Sequence, residues 1–232
     1  MLSQETERKI DLACLIILPL SFVAMGILGL AGYAMNKDET YATVVQFISV
    51  FIVMILPLMR LKKIFFAPYW FVFVMTANIY MFSIMLFLGV YDNYWWWDHF
   101  SHWLSSLLVA MIVFVALLII EAYTTRISIP NGVLLFATFM FGLAFGSAWE
   151  MWEAGMDGAF GEGMMVYSVF DTLGDLWMDV VGAGTMVIMG IVILRYKRPI
   201  DIVGRIGLDH KMRVIGEKWD RRCDGLRGKK RE

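Results

Sequence analysis

Thiols are nearly absent from this chain: Cys14 and Cys223 are the only two, and they lie near opposite ends. A disulfide scaffold or a cysteine-based zinc motif needs several closely spaced thiols, so neither can be built from this pair. Charge is scarce too, at 18% of residues, where soluble domains carry about a quarter. Polar stretches long enough to fold as a soluble domain are missing between the apolar runs. What fills the chain instead is apolar: 59% of its 232 residues are hydrophobic and the mean hydropathy is +0.67. Such a chain belongs in lipid, and the partner it implies is membrane lipid rather than nucleic acid.

Apolar runs recur six times, over Leu12–Met35, Thr43–Met59, Phe65–Val90, Phe100–Ile120, Asn131–Trp152 and Asp175–Leu194. A bilayer core of about 30 Å needs about 20 residues of helix, and each run is near that length. The fold expected is all-α, a polytopic membrane helix bundle with six transmembrane helices over residues 1–198, followed by a basic cytoplasmic tail over 199–232. The first run follows Arg8 and Lys9 but exceeds the roughly 7–15 residues of a signal-peptide core, so it reads as a retained helix.

Lys and Arg in short loops mark the cytoplasmic side of a membrane protein. Arg60, Lys62 and Lys63 separate the second and third runs, Arg126 falls between the fourth and fifth, and Arg195, Lys197 and Arg198 follow the sixth. The opposite loops hold Lys37 and, over Tyr91–His99 and Glu153–Thr172, no basic residue at all. Both termini are therefore expected in the cytoplasm, with the protein a multi-pass component of the inner membrane. From Pro199 onward ten Lys/Arg face six Asp/Glu. That tail reads as a solvated topology anchor or as a surface for anionic head groups.

Titratable residues crowd one end of three spans. In the fourth, Asp98 and His102 are four apart and share a face, with Ser101 and Ser105 beside them at helical spacing. In the fifth, Gly142, Gly146, Glu150 and Glu153 form one stripe; in the sixth, Asp171, Asp175, Asp179 and Gly182 form another. Counting from the basic ends at about 1.5 Å per residue brings His102, Glu150 and Asp175 to one level near the extracytoplasmic face. Like charges held so close repel unless they are protonated or a cation intervenes.

Carboxylate oxygens with one imidazole suit a divalent metal: Zn, Mg, Mn, Ca or Fe. The expected ligand set is Asp98, His102, Glu150, Glu153, Asp171, Asp175 and Asp179, with Glu150 or Glu153 as catalytic base. A hydrogen-bonded structural network and a proton or cation path are the alternatives. His99 points to another face than His102 and reads as an interfacial residue. Seven of the nine Trp flank the outer ends, as an interface belt does, and the scattered Met residues read as packing. Gly155, Gly158, Gly161 and Gly163 suggest a flexible loop between the fifth and sixth spans, where Asp157 and Glu162 also lie.

The stretches "WWWDHFSHW", "SAWEMWEAG" and "FDTLGDLWMDVVGAG" resemble, in order and spacing, the signatures of the YjdF-like inner-membrane proteins, and more distantly those of VanZ-like proteins. The matched part runs from Phe65 to Leu194. The resemblance implies a polytopic membrane protein with this residue set and leaves the reaction open. The spacing of Asp171, Asp175 and Asp179 is also similar to the aspartate-rich motifs of prenyltransferases and CDP-alcohol phosphotransferases. "MDGAFGEG" lacks the Ala-Arg of the latter, and six spans are too few for the former. Three functions follow: a metal-dependent hydrolase acting on lipid or lipid-linked head groups, a cation or proton transporter or sensor, and a structural or accessory membrane subunit.

Overall fold

A computed structural model describes residues 90–124, 127–160, 166, 168–204 and 214–221, together with Leu20, Val23, Ala24, Ile27, Ala31, Asn78, Met81 and Met85. Among these residues all regular structure is helical and no strand occurs. The chain divides into two compact units, Met1–Asp98 and His99–Glu232. In the first, the isolated residues fall within the expected first and third spans and are helical; the second expected span, Thr43–Met59, lies outside the described residues. A short helix, α1 (Val90–Asn93), ends at Tyr94, whose N–H bonds the Val90 carbonyl at 2.9 Å.

Three long helices follow: α2 (Trp95–Tyr123), α3 (Asn131–Phe160) and α4 (Val169–Tyr196). Each is long and apolar enough to cross a membrane. At about 1.5 Å per residue a helix of 28 to 30 residues exceeds a bilayer core of about 30 Å, so its end turns stand at the head groups. The helices overrun the expected spans chiefly at the acidic end. Gly155 and Gly158, expected in a loop, are helical residues of α3; Gly161, Glu162 and Gly163 lie outside the described residues.

Local chemistry sets the helix ends. Ser168 is extended, and its hydroxyl accepts from the Asp171 N–H at 3.1 Å, satisfying one free donor of the first turn of α4. Asp171 adds negative charge where the helix dipole is positive. Between α2 and α3, the Glu121 carboxylate accepts from the Ile129 N–H at 2.5 Å, and the Pro130 carbonyl accepts the first bond of α3 from Leu134. Pro199 opens a short α5 (Pro199–Gly204), and residues 214–221 are also helical. A Cβ at Gly216 would overlap the Tyr123 carbonyl oxygen, so that last segment packs on the end of α2.

Buried residues recur every four positions on α2 and α3, and every three or four on α4. In α2 they are His102, Ser106, Ala110, Phe114 and Leu118; in α3, Leu134, Thr138, Gly142, Gly146 and Glu150. In α4 they are Asp175, Asp179, Ala183, Met186 and Gly190, with Gly182 beside Ala183. Rows of this spacing are the ridges by which helices interlock. Lipid tails are as apolar as Leu, so helices in a bilayer gain little from hydrophobic burial and associate through close packing at small residues. A Cβ on Gly182 would overlap the Trp103 carbonyl, and one on Gly142 would come within 3.2 Å of both Ala183 and Ala110. Phe114 and Leu135 close over Gly190 in the same way. The contacts run α2 down, α3 up and α4 down, an antiparallel bundle whose outer faces show Phe136, Phe141, Phe145, Ile188 and Val192.

Candidate functional site

The antiparallel order brings the start of α2, the second half of α3 and the start of α4 to one end, and there the buried stripes turn polar. His102, Glu150, Glu153, Asp157, Asp175 and Asp179 are all buried, Asp179 at 1% exposure. The His102 imidazole lies between two carboxylates: Nε2 is 3.4 Å from Glu150 Oε1, and Nδ1 is 3.5 Å from Asp179 Oδ1. The Ser106 hydroxyl donates to that same Asp179 Oδ1 at 2.6 Å. A Cβ on Gly146 would overlap Asp179 Oδ2, so the glycine leaves the notch that this oxygen fills.

One turn further out, His99 Nδ1 is 3.0 Å from Asp175 Oδ1, and the ring packs over Gly174. The Trp149 indole donates to Glu153 Oε1 at 2.8 Å, fixing that carboxylate along its own helix. Asp157, one turn beyond Glu153, accepts from the Val166 N–H at 2.9 Å and ties the end of α3 to the chain that returns to α4.

Two triads have the compactness a cation requires. Ligand atoms of His102, Glu150 and Glu153, all buried, lie within 4.8 Å of one another, and so do those of His99, Asp171 and Asp175. Metal–ligand bonds of about 2.0–2.6 Å place two ligand atoms at most about 5 Å apart, so both triads fit around an ion. Imidazole nitrogen with carboxylate oxygens is a donor set for Zn, Mn or Fe, and for Mg or Ca where water completes the shell.

The bundle thus brings together most of the acids expected from spacing: Glu150, Glu153, Asp171, Asp175 and Asp179 gather around the two imidazoles. Asp98 stands in the first turn of α2, half-buried and one turn before His102 on the same helix. Two expectations are corrected. His99 is no interfacial bystander, since its ring is held against Asp175. Ser105 is exposed, and the serine that reaches the cluster is Ser106. Ser106 was available to spacing as the residue four after His102, the same step that links Asp98 to His102. His99 was available as the residue three before it.

Fold and cluster together define a multi-helix membrane protein with a buried histidine and carboxylate layer at one end of an antiparallel bundle. The chain belongs to the family described as predicted membrane protein (DUF2238), the family of the YjdF-like proteins, whose model matches residues 15–196. The match takes in the first two expected spans as well as the three motif-bearing ones. Neither the curated proteins nor the solved structures hold a match to this chain.

Proposed function

We propose that this is a six-span protein of the inner membrane, both termini cytoplasmic, whose His102, Glu150 and Glu153 bind a divalent cation near the outer face. The observation that carries this is the burial of one imidazole and two carboxylates with their ligand atoms inside 4.8 Å. No Lys or Arg occurs in α2 or α3, and in α4 the one basic residue, Arg195, stands in the last turn, far from the cluster. An unpaired buried ion costs several kcal/mol. A divalent cation offsets that cost where no Lys or Arg of these three helices does.

Such an ion, when bound, supplies Lewis acidity and a water acidified toward neutral pH. The chain's own groups supply the rest. Trp149 holds Glu153 through one oxygen and His102 is held between Glu150 and Asp179; in this reading Glu150 or Glu153, whichever keeps an oxygen free of the ion, takes the proton from an attacking water. The reaction this favours is hydrolysis of an ester, amide or phosphoester in a lipid or lipid-linked head group. The lack of basic side chains on these three helices near the cluster weighs against phosphate, which is usually clamped by cations. Beneath the polar layer these three helices bury Ala110, Phe114, Leu118, Leu134, Ala183 and Met186, with Thr138 among them, its hydroxyl donating to the Leu134 carbonyl of its own helix. That floor favours an ion that stays over one that is conducted.

Elemental analysis of protein purified without chelator tests the reading. Near-stoichiometric metal is expected in the wild type, with strong loss in His102→Ala and Glu150→Gln. Trace metal only in the wild type refutes it. Hydrolysis of a pooled lipid extract, stopped by EDTA and restored by the metal found, is the expected second result.

A further inference from the structure

The two nitrogens of His102 have different neighbours. Nε2 faces Glu150 in the compact triad with Glu153, whereas Nδ1 faces Asp179, which belongs to neither triad. Both Asp179 oxygens have other duties. Oδ1 accepts from Ser106 and approaches the ring; Oδ2 is buried in the Gly146 notch, with no hydrogen-bond partner among the described residues. A carboxylate as buried as this one, on an apolar floor, is costly to keep and needs a reason to be there.

A histidine that coordinates through one nitrogen commonly donates its other N–H to a carboxylate, which fixes the tautomer and ring orientation and strengthens the coordinating lone pair. We infer that Asp179 is a positioning residue: it holds the proton of His102 on Nδ1 so that Nε2 faces the cation, while Ser106 and Gly146 hold Asp179. This rests on the cation-binding reading above and separates Asp179 from the ligands among which its spacing alone placed it. The 3.5 Å between Nδ1 and Oδ1 is a few tenths of an ångström beyond a usual hydrogen bond of about 2.7–3.2 Å, within reach of a small ring movement. His99 and Asp175 repeat the arrangement through Nδ1 at 3.0 Å, with the Nε2 edge of that ring against Gly174.

The full-length protein in detergent, stripped with chelator and titrated with Zn²⁺ and Co²⁺ against a competing dye, tests this. Asp179→Asn should weaken Zn²⁺ binding about 10- to 100-fold. It should leave the Co²⁺ absorption bands unchanged in position, because the ligands are the same. Glu150→Gln should shift those bands. Ser106→Ala, which keeps the carboxylate and loses only its donor, should weaken binding several-fold and serves as the test if Asp179→Asn does not fold. Wild-type affinity in either folded variant overturns the inference, and so do shifted Co²⁺ bands in Asp179→Asn, which would make Asp179 a ligand. A wild-type protein that takes up neither metal overturns the cation-binding reading and this inference with it.

Discussion

The two ends of the α2–α3–α4 bundle are built on the same rule and filled with opposite chemistry. At both, a residue every four positions turns inward and small side chains let the backbones approach: Gly182 against Trp103 near the acidic end, Gly190 beneath Phe114 near the basic one. At one end those rows bury His102, Glu150, Asp175 and Asp179; at the other they bury Leu118, Leu134 and Met186. At the apolar end packing is satisfied without any acid; at the other the acids take part in it, the Asp179 carboxyl filling the Gly146 notch and accepting from Ser106 across the bundle.

Substitutions can break this division or sharpen it. The largest loss of stability is expected at the apolar end: Leu118→Ala leaves a cavity at a fully buried site and should cost about 2–5 kcal/mol in thermal or denaturant unfolding, with metal content unchanged. Gly182→Ala should cost about 1–3 kcal/mol or more, because the new methyl meets the Trp103 carbonyl, a backbone atom that cannot turn aside. Glu150→Gln should behave in the opposite sense. It should lose the metal, yet in chelator it should unfold no more easily than wild type and gain on the order of 1 kcal/mol as crowding among the acids is relieved. A chelated Glu150→Gln protein much less stable than chelated wild type would show that the polar layer is structural after all.

Smaller effects lie outside the buried rows. Ser168→Ala removes the cap of α4 and should cost about 1 kcal/mol. The smallest effect belongs to Arg198 and Asp201, a fully exposed pair 3.0 Å apart, in which the guanidinium holds the Asp201 carboxyl below its usual range. A lowered carboxylate value stabilises the folded state in full above the free value of about 3.9, and the gain fades as pH falls through the lower folded value. Asp201→Asn should therefore lower the melting temperature only slightly at pH 7, where the contribution is full, and the difference from wild type should fade in acid.

Much of this division is legible from one-dimensional spacing. Asp98 to His102, Gly146 to Glu150 and Asp175 to Asp179 are each four apart, and the lack of Lys and Arg beside them sets the common level expected for them. Spacing places a side chain on a face but does not say which neighbour that face meets. For that reason His99, which lies to one side of His102, reads as a bystander until α4 is packed against it, and Ser106 is matched with Asp179 only once the two helices meet. The helix ends are missed for a related reason. Gly155 and Gly158 are poor helix formers, but α3 continues through both to Phe160, and Asp157 between them anchors the returning chain through its bond to the Val166 N–H.

Gly146 couples two distant positions of the chain through the space they share. Since any side chain there would take the volume of the Asp179 carboxyl, neither site is free to drift alone. Among relatives of this protein, a residue larger than glycine at the first should travel with serine, alanine or glycine at the second, and the cation binding proposed above should be weaker wherever the exchange has been made.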